Sequence, residues 1–145
     1  MSPYSEASEF DDNGQVKAPL LFWCGLLLQT RAWWLTVFSI GMGEHGGWLV
    51  LIYPELRLQI FGVAAGVPAL VMLFCYPARG NVPLLSRGVY VLILIIVVLM
   101  LVRDANYLIK ELPYLWNEGW LELYADLACC VMLWPDSRLR TVFLL

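Results

Sequence analysis

Residues 88–102 run GVYVLILIIVVLMLV, fifteen positions dominated by Ile, Leu and Val without a single charge. The run constrains the fold because it has no polar face to present to water. Three further apolar stretches, at about 19–42, 58–76 and 115–134, share the 145-residue chain with it. The whole is 61% hydrophobic and only 14% charged, where a soluble domain is about half apolar and about a quarter charged. So small a body has too little interior to hide that excess, which leaves lipid to cover it. The expected fold class is an all-α integral membrane protein, with about four transmembrane helices in a small bundle. A helix of about 20 residues crosses a hydrocarbon core of roughly 30 Å.

The organisation follows from the breaks. Residues 1–18 form a polar N-terminal tail or interfacial lead-in, with Glu6, Glu9, Asp11 and Asp12 ahead of Lys17 and an Asn13-Gly14 turn signal. An acidic start before a full-length apolar segment does not fit a cleavable signal peptide, so the first helix is expected to be retained. Pro19 suits a helix start, and Gly41, Gly43, Gly46 and Gly47 end the first span near residue 42. Residues 48–53 are apolar but too short to cross, and read as interfacial, re-entrant or part of a kinked second helix. The second span, 58–76, carries Gly62 and Gly66 at the spacing that lets membrane helices approach closely. A polar loop leads to the third span, 88–102, closed by Arg103-Asp104. Aromatics among charges at 107–120 fit a membrane–water boundary, and a short tail, 136–145, follows the fourth span.

Basic residues orient the bundle. Lys17, Arg79, Arg87, Arg138 and Arg140 fall on the side of both termini, against Arg57, Arg103 and Lys110 on the other. Five against three places both termini in the cytoplasm. No basic run suggests nucleic acid. The four cysteines, Cys24, Cys75, Cys129 and Cys130, sit in or beside apolar stretches and read as packing residues.

Arg31 stands in the middle of the first span, where a guanidinium is expensive unless neutralised. Asp126, in the last span, is the obvious counter-charge. Arg31 lies 12 residues from Pro19, roughly 18 Å deep at 1.5 Å per residue, and Asp126 lies eight from Trp134, roughly 12 Å deep. An extended Arg bridges that offset of about one turn, and Gln29 and Thr30 are placed to add hydrogen bonds. The pair reads as a clasp between helices, with snorkelling of Arg31 to the interface and a polar transport route as rivals. Glu118, Glu122 and Asp126 recur every four residues, which puts three acids on one helix face. They could line an ion route, or Glu118 and Glu122 could sit among headgroups with only Asp126 buried. The intramembrane polar candidates are therefore Gln29, Arg31, Glu122 and Asp126. His45 is a lone imidazole without a metal-ligand spacing, and no nucleophile set or nucleotide motif occurs. Neither a metal, a cofactor nor enzymatic activity is expected.

Several segments also resemble a known family. The stretch from Asp11 to Pro19, DDNGQVKAP, is similar to an acidic–Gly–x–x–Lys–x–Pro entry, and Gln29-Thr30-Arg31-Ala32-Trp33 to a Gln–x–Arg–x–Trp pattern in a first helix. Tyr53-Pro54, Gly66-Val67-Pro68-Ala69 and Ser137-Arg138-Leu139-Arg140 follow in matching order. Together they resemble the YfeZ-like family of uncharacterised bacterial inner-membrane proteins. The resemblance implies a small, mostly helical inner-membrane protein and carries no activity with it. The expected function is that of an accessory or scaffold protein, working through helix packing in the lipid bilayer with itself or a larger membrane assembly. The alternative is an oligomeric transporter or channel component that uses the intramembrane charges.

Overall fold

The structure is a computed structural model, described here for residues 10–12, 14–43, 53, 55–111 and 119–144. Those residues form helices α1 (Leu20–Gln29), α2 (Arg31–Met42), α3 (Leu56–Cys75), α4 (Pro83–Glu111), α5 (Gly119–Leu133) and a short α6 (Ser137–Leu139) that widens into a π-helical turn, Arg140–Leu144. The only β pairing among them is an isolated bridge between Phe10 and Val16.

Two helices, Leu56–Cys75 and Pro83–Lys110, are long and apolar enough to cross a membrane. α1 and α2 make a third crossing if taken together, bent by 57° at Thr30. Only 28% and 33% of the two long apolar windows are buried inside the chain. Large apolar side chains including Phe74, Leu84, Ile95 and Leu99 face outward, as lipid contact requires. Two to three spans are thus in place where the sequence led us to expect four. The element at the fourth position, α5, has 15 described helical residues, roughly 22 Å of rise, which falls short of a full crossing.

The bend has a local cause, although neither Pro nor Gly lies at it. The Leu27 carbonyl accepts the Thr30 hydroxyl (3.0 Å) and the Trp34 indole N–H (3.1 Å), and the Leu28 carbonyl accepts Arg31 Nη1 (3.2 Å). Side chains therefore cap the last turn of α1, and Ser/Thr bonding back onto a helix carbonyl is a known source of bending.

The α3 glycines are used inside the chain. A methyl at Gly62 would come within 3.0 Å of the Ala32 Cβ, and one at Gly66 within 2.7 Å of Trp33 Cδ1. The small-residue face thus docks α3 on α2. Trp33 Nε1 donates to the Val63 carbonyl (2.8 Å) and Gln29 Nε2 to that of Ala65 (3.2 Å). These two flank Ala64, whose carbonyl loses its helical donor to Pro68.

α4 exceeds the expected 88–102 at both ends and spans 29 residues. Arg103 and Asp104 do not end it, because they pair with each other (2.7 Å) while the backbone continues helical. Beyond Pro135, Asp136 Oδ1 caps α6 by accepting the Ser137 N–H (2.7 Å). The following turn inserts Phe143 into the core, stacked on Tyr90 at 4.8 Å and close to Phe22 at 5.1 Å. The core itself is formed by Phe22, Leu26, Met72, Tyr90, Ile93, Val97 and Leu133.

Candidate functional site

α1 and α5 come unusually close. A side chain on Gly25 would meet Leu133 Cγ at 2.9 Å and Met132 Cβ at 3.1 Å, and the Gly25 carbonyl accepts a weak bond from the Cys129 thiol (3.8 Å). Moving from Gly25 toward Arg31 runs down α5 from Leu133 toward Glu122, so the helices pack antiparallel. That register, with the bend at Thr30, delivers Arg31 to the acidic face of α5.

Arg31 is buried, with a side chain only 8% exposed. Its Nη2 lies 2.6 Å from Glu122 Oε2 and 2.5 Å from Asp126 Oδ1, and its Nε donates to Glu122 Oε2 at 3.2 Å. Nη1 caps Leu28, as described above. Tyr53, itself buried, faces the same guanidinium. A snorkelling Arg31 does not match this geometry. The guanidinium points inward because two carboxylates at i and i+4 on α5 offer more than the distant headgroups would.

The structure brings Arg31, Glu122 and Asp126 together and sends Gln29 and Thr30 elsewhere, to the carbonyls of Ala65 and Leu27. Glu122 is buried rather than set among headgroups, because Arg31 holds it. Glu118, His45 and the stretch 48–52 lie outside the described residues. Cys24, Cys75, Cys129 and Cys130 are all free thiols.

A third acid completes the cluster. Asp104, on α4, is buried, and one oxygen each from Asp104, Glu122 and Asp126 lie within 4.8 Å of one another. Asp104 Oδ1 accepts from Arg103 Nε at 2.9 Å. Sequence reading treated Arg103-Asp104 as a boundary and missed the contact. The signal was present in the spacing of the buried residues Tyr90, Ile93, Val97, Asp104 and Leu108. They recur at intervals of three, four, seven and four residues, the repeat of one helix stripe, so Asp104 continues the face that α4 turns to α5. A pocket of about 350 Å³ lies elsewhere, lined by Gln15, Arg79, Ser86 and Phe143 among others, and no residue of the charged cluster lines it.

Chemically, the cluster can clamp helices, hold charge in register, and take up a proton or cation. Arg31 ties α2 to α5 electrostatically, while Asp104 of α4 lies beside the same two acids and pairs with Arg103 on its own helix.

The fold and the cluster define a helical integral membrane protein with a charged core. Residues 5–144 match the family model described as "Protein of unknown function (DUF2919)", and the chain belongs to that family. It is 31% identical over 142 residues to the "Inner membrane protein YfeZ" of Escherichia coli (strain K12), covering 92% of this chain and 90% of that protein. No solved structure matches the chain.

Proposed function

We propose that this chain is a multi-pass protein of the bacterial inner membrane that works as an accessory or scaffold protein through helix packing, with Arg31 as its internal clasp. The supporting observation is where Arg31 sends its donors: to Glu122, Asp126 and the Leu28 carbonyl, all within its own chain. A guanidinium used this way fixes a shape. The relative's inner-membrane name supports the location, and the basic residues around Lys17, Arg79 and Arg138 support cytoplasmic termini. In this reading α1–α2, α3, α4 and the region around α5 form about four membrane segments. Partner-facing surface is then the outward apolar side of α4, including Ile95 and Leu99, since the Gly62 and Gly66 face is already occupied.

Photo-crosslinking from positions 95 and 99 in native membranes tests the scaffold reading. Discrete protein adducts are expected, either with a second copy or with a larger assembly. Lipid adducts alone at both positions would refute it. The rival reading, an oligomeric transporter or channel component, draws support from the buried acids on α4 and α5. It requires ion flux in proteoliposomes that disappears in Asp126→Asn.

A further inference from the structure

We propose that Asp104 and Asp126 form a proton-binding site, in which their two carboxyl groups share one proton. The site goes beyond the scaffold reading and does not depend on it.

The argument starts from a symmetry in the contacts. Asp126 Oδ1 is held by Arg31 at 2.5 Å, and Asp104 Oδ1 is held by Arg103 at 2.7 Å. The second oxygen of each, Oδ2, is buried and has no hydrogen-bond partner. Both residues are nearly inaccessible, at 1% exposure for Asp126 and 8% for Asp104. Two carboxylates so placed, each with an undonated oxygen, repel one another and leave acceptors unsatisfied. One proton removes both faults. Bound on one Oδ2, it turns that group into a donor for the facing carboxylate, giving the acid–carboxylate pairing seen wherever two carboxyls must share a site.

The surrounding charges favour one proton. α2 contributes Arg31, α4 contributes Arg103 and Asp104, and α5 contributes Glu122 and Asp126, with the Cys129 thiol a turn further on; Tyr53 faces the cluster from the segment before α3. With every acid ionised, three negative charges oppose two positive ones. A proton taken from bulk water brings the cluster to neutrality, which a low-dielectric setting demands. A divalent cation would instead leave an excess positive charge beside two guanidinium groups. The proton also gives α4 a hydrogen bond to α5, so its loss at alkaline pH loosens that contact.

Infrared spectroscopy of the full chain in lipid nanodiscs tests the site. At neutral pH the wild type should show the carbonyl stretch of a protonated carboxyl, sensitive to deuterium exchange and to isotopic labelling of aspartate. The band should vanish in Asp104→Asn and in Asp126→Asn, where the amide supplies a neutral donor. If Asp126→Asn does not fold, Asp104→Asn decides, because it leaves the Arg31 contacts intact. Absence of the band in the wild type, or its survival in Asp104→Asn, overturns the proposal. So does a wild type that lacks the band but is stabilised by added magnesium or sodium ions, which would make the cluster a metal site.

Discussion

Replacing Arg31 with Met keeps an unbranched side chain of similar length and removes the charge. Two carboxylates, whose side chains are 12% and 2% exposed, would then lose their shared cation. Two magnitudes compete for the outcome. If the contacts act only as hydrogen bonds between membrane helices, the loss averages about 0.6 kcal/mol and reaches at most about 1.7 kcal/mol. If they act as a buried ion pair, stripping one partner costs about 3–5 kcal/mol, because the other charges are left uncompensated. The depth of burial and the two carboxylates on one guanidinium favour the larger figure. Unfolding of the purified protein in mixed micelles, followed by circular dichroism across a dodecyl sulfate titration, gives the difference directly. Arg31→Met is expected to lose about 3–5 kcal/mol. The triple variant that adds Glu122→Gln and Asp126→Asn should return to within about 2 kcal/mol of the wild type, since no buried charge is then stranded. A single-variant loss below about 1.7 kcal/mol would refute the reasoning, as would a triple variant no more stable than the single.

The same titration serves for three further variants. Gly66→Ala should destabilise by about 1–3 kcal/mol, because its methyl would sit 2.7 Å from Trp33, whereas Gly41→Ala, which meets nothing within 4 Å, should be neutral or stabilising. Tyr90→Phe removes the hydroxyl that donates to the Leu133 carbonyl at 2.8 Å and is expected to cost about 1 kcal/mol. Phe143→Ala vacates a site 3% exposed against Tyr90 and Phe22, for an expected loss of about 3–5 kcal/mol. A near-neutral result there would show that the C-terminal turn is not part of the core.

What the sequence made legible follows from what its residues can do alone. The second and third apolar runs correspond to α3 and α4, since a long uncharged stretch has few alternatives in lipid. Arg31 and Asp126 stood out as expensive charges at comparable depth. The bend at Thr30 did not, because Thr is an ordinary helix residue until its hydroxyl and the neighbouring Arg31 and Trp34 find the carbonyls of Leu27 and Leu28. Asp104 was hidden by its neighbour, for Arg103-Asp104 after an apolar run looks like a membrane exit. Only the stripe from Tyr90 to Leu108 reveals that it points inward. The antiparallel register through Gly25 depends on a contact 108 residues away in sequence, with Leu133, which no local pattern encodes. The C-terminal residues looked like a tail because Ser137 to Arg140 are polar. Phe143 acquires its place only once Tyr90 and Phe22 have formed a surface for it.

The central claim is that Arg31 and the acids of α5 form one electrostatic unit joining α2 to α5. Exchanging the charges tests it most directly, with the fraction of protein recovered folded from the membrane measured for Arg31→Asp, Asp126→Arg and the two combined. The clasp predicts a double variant recovered better than either single, because opposite charges again face one another across the helices. A double variant as poor as the worse single would contradict it.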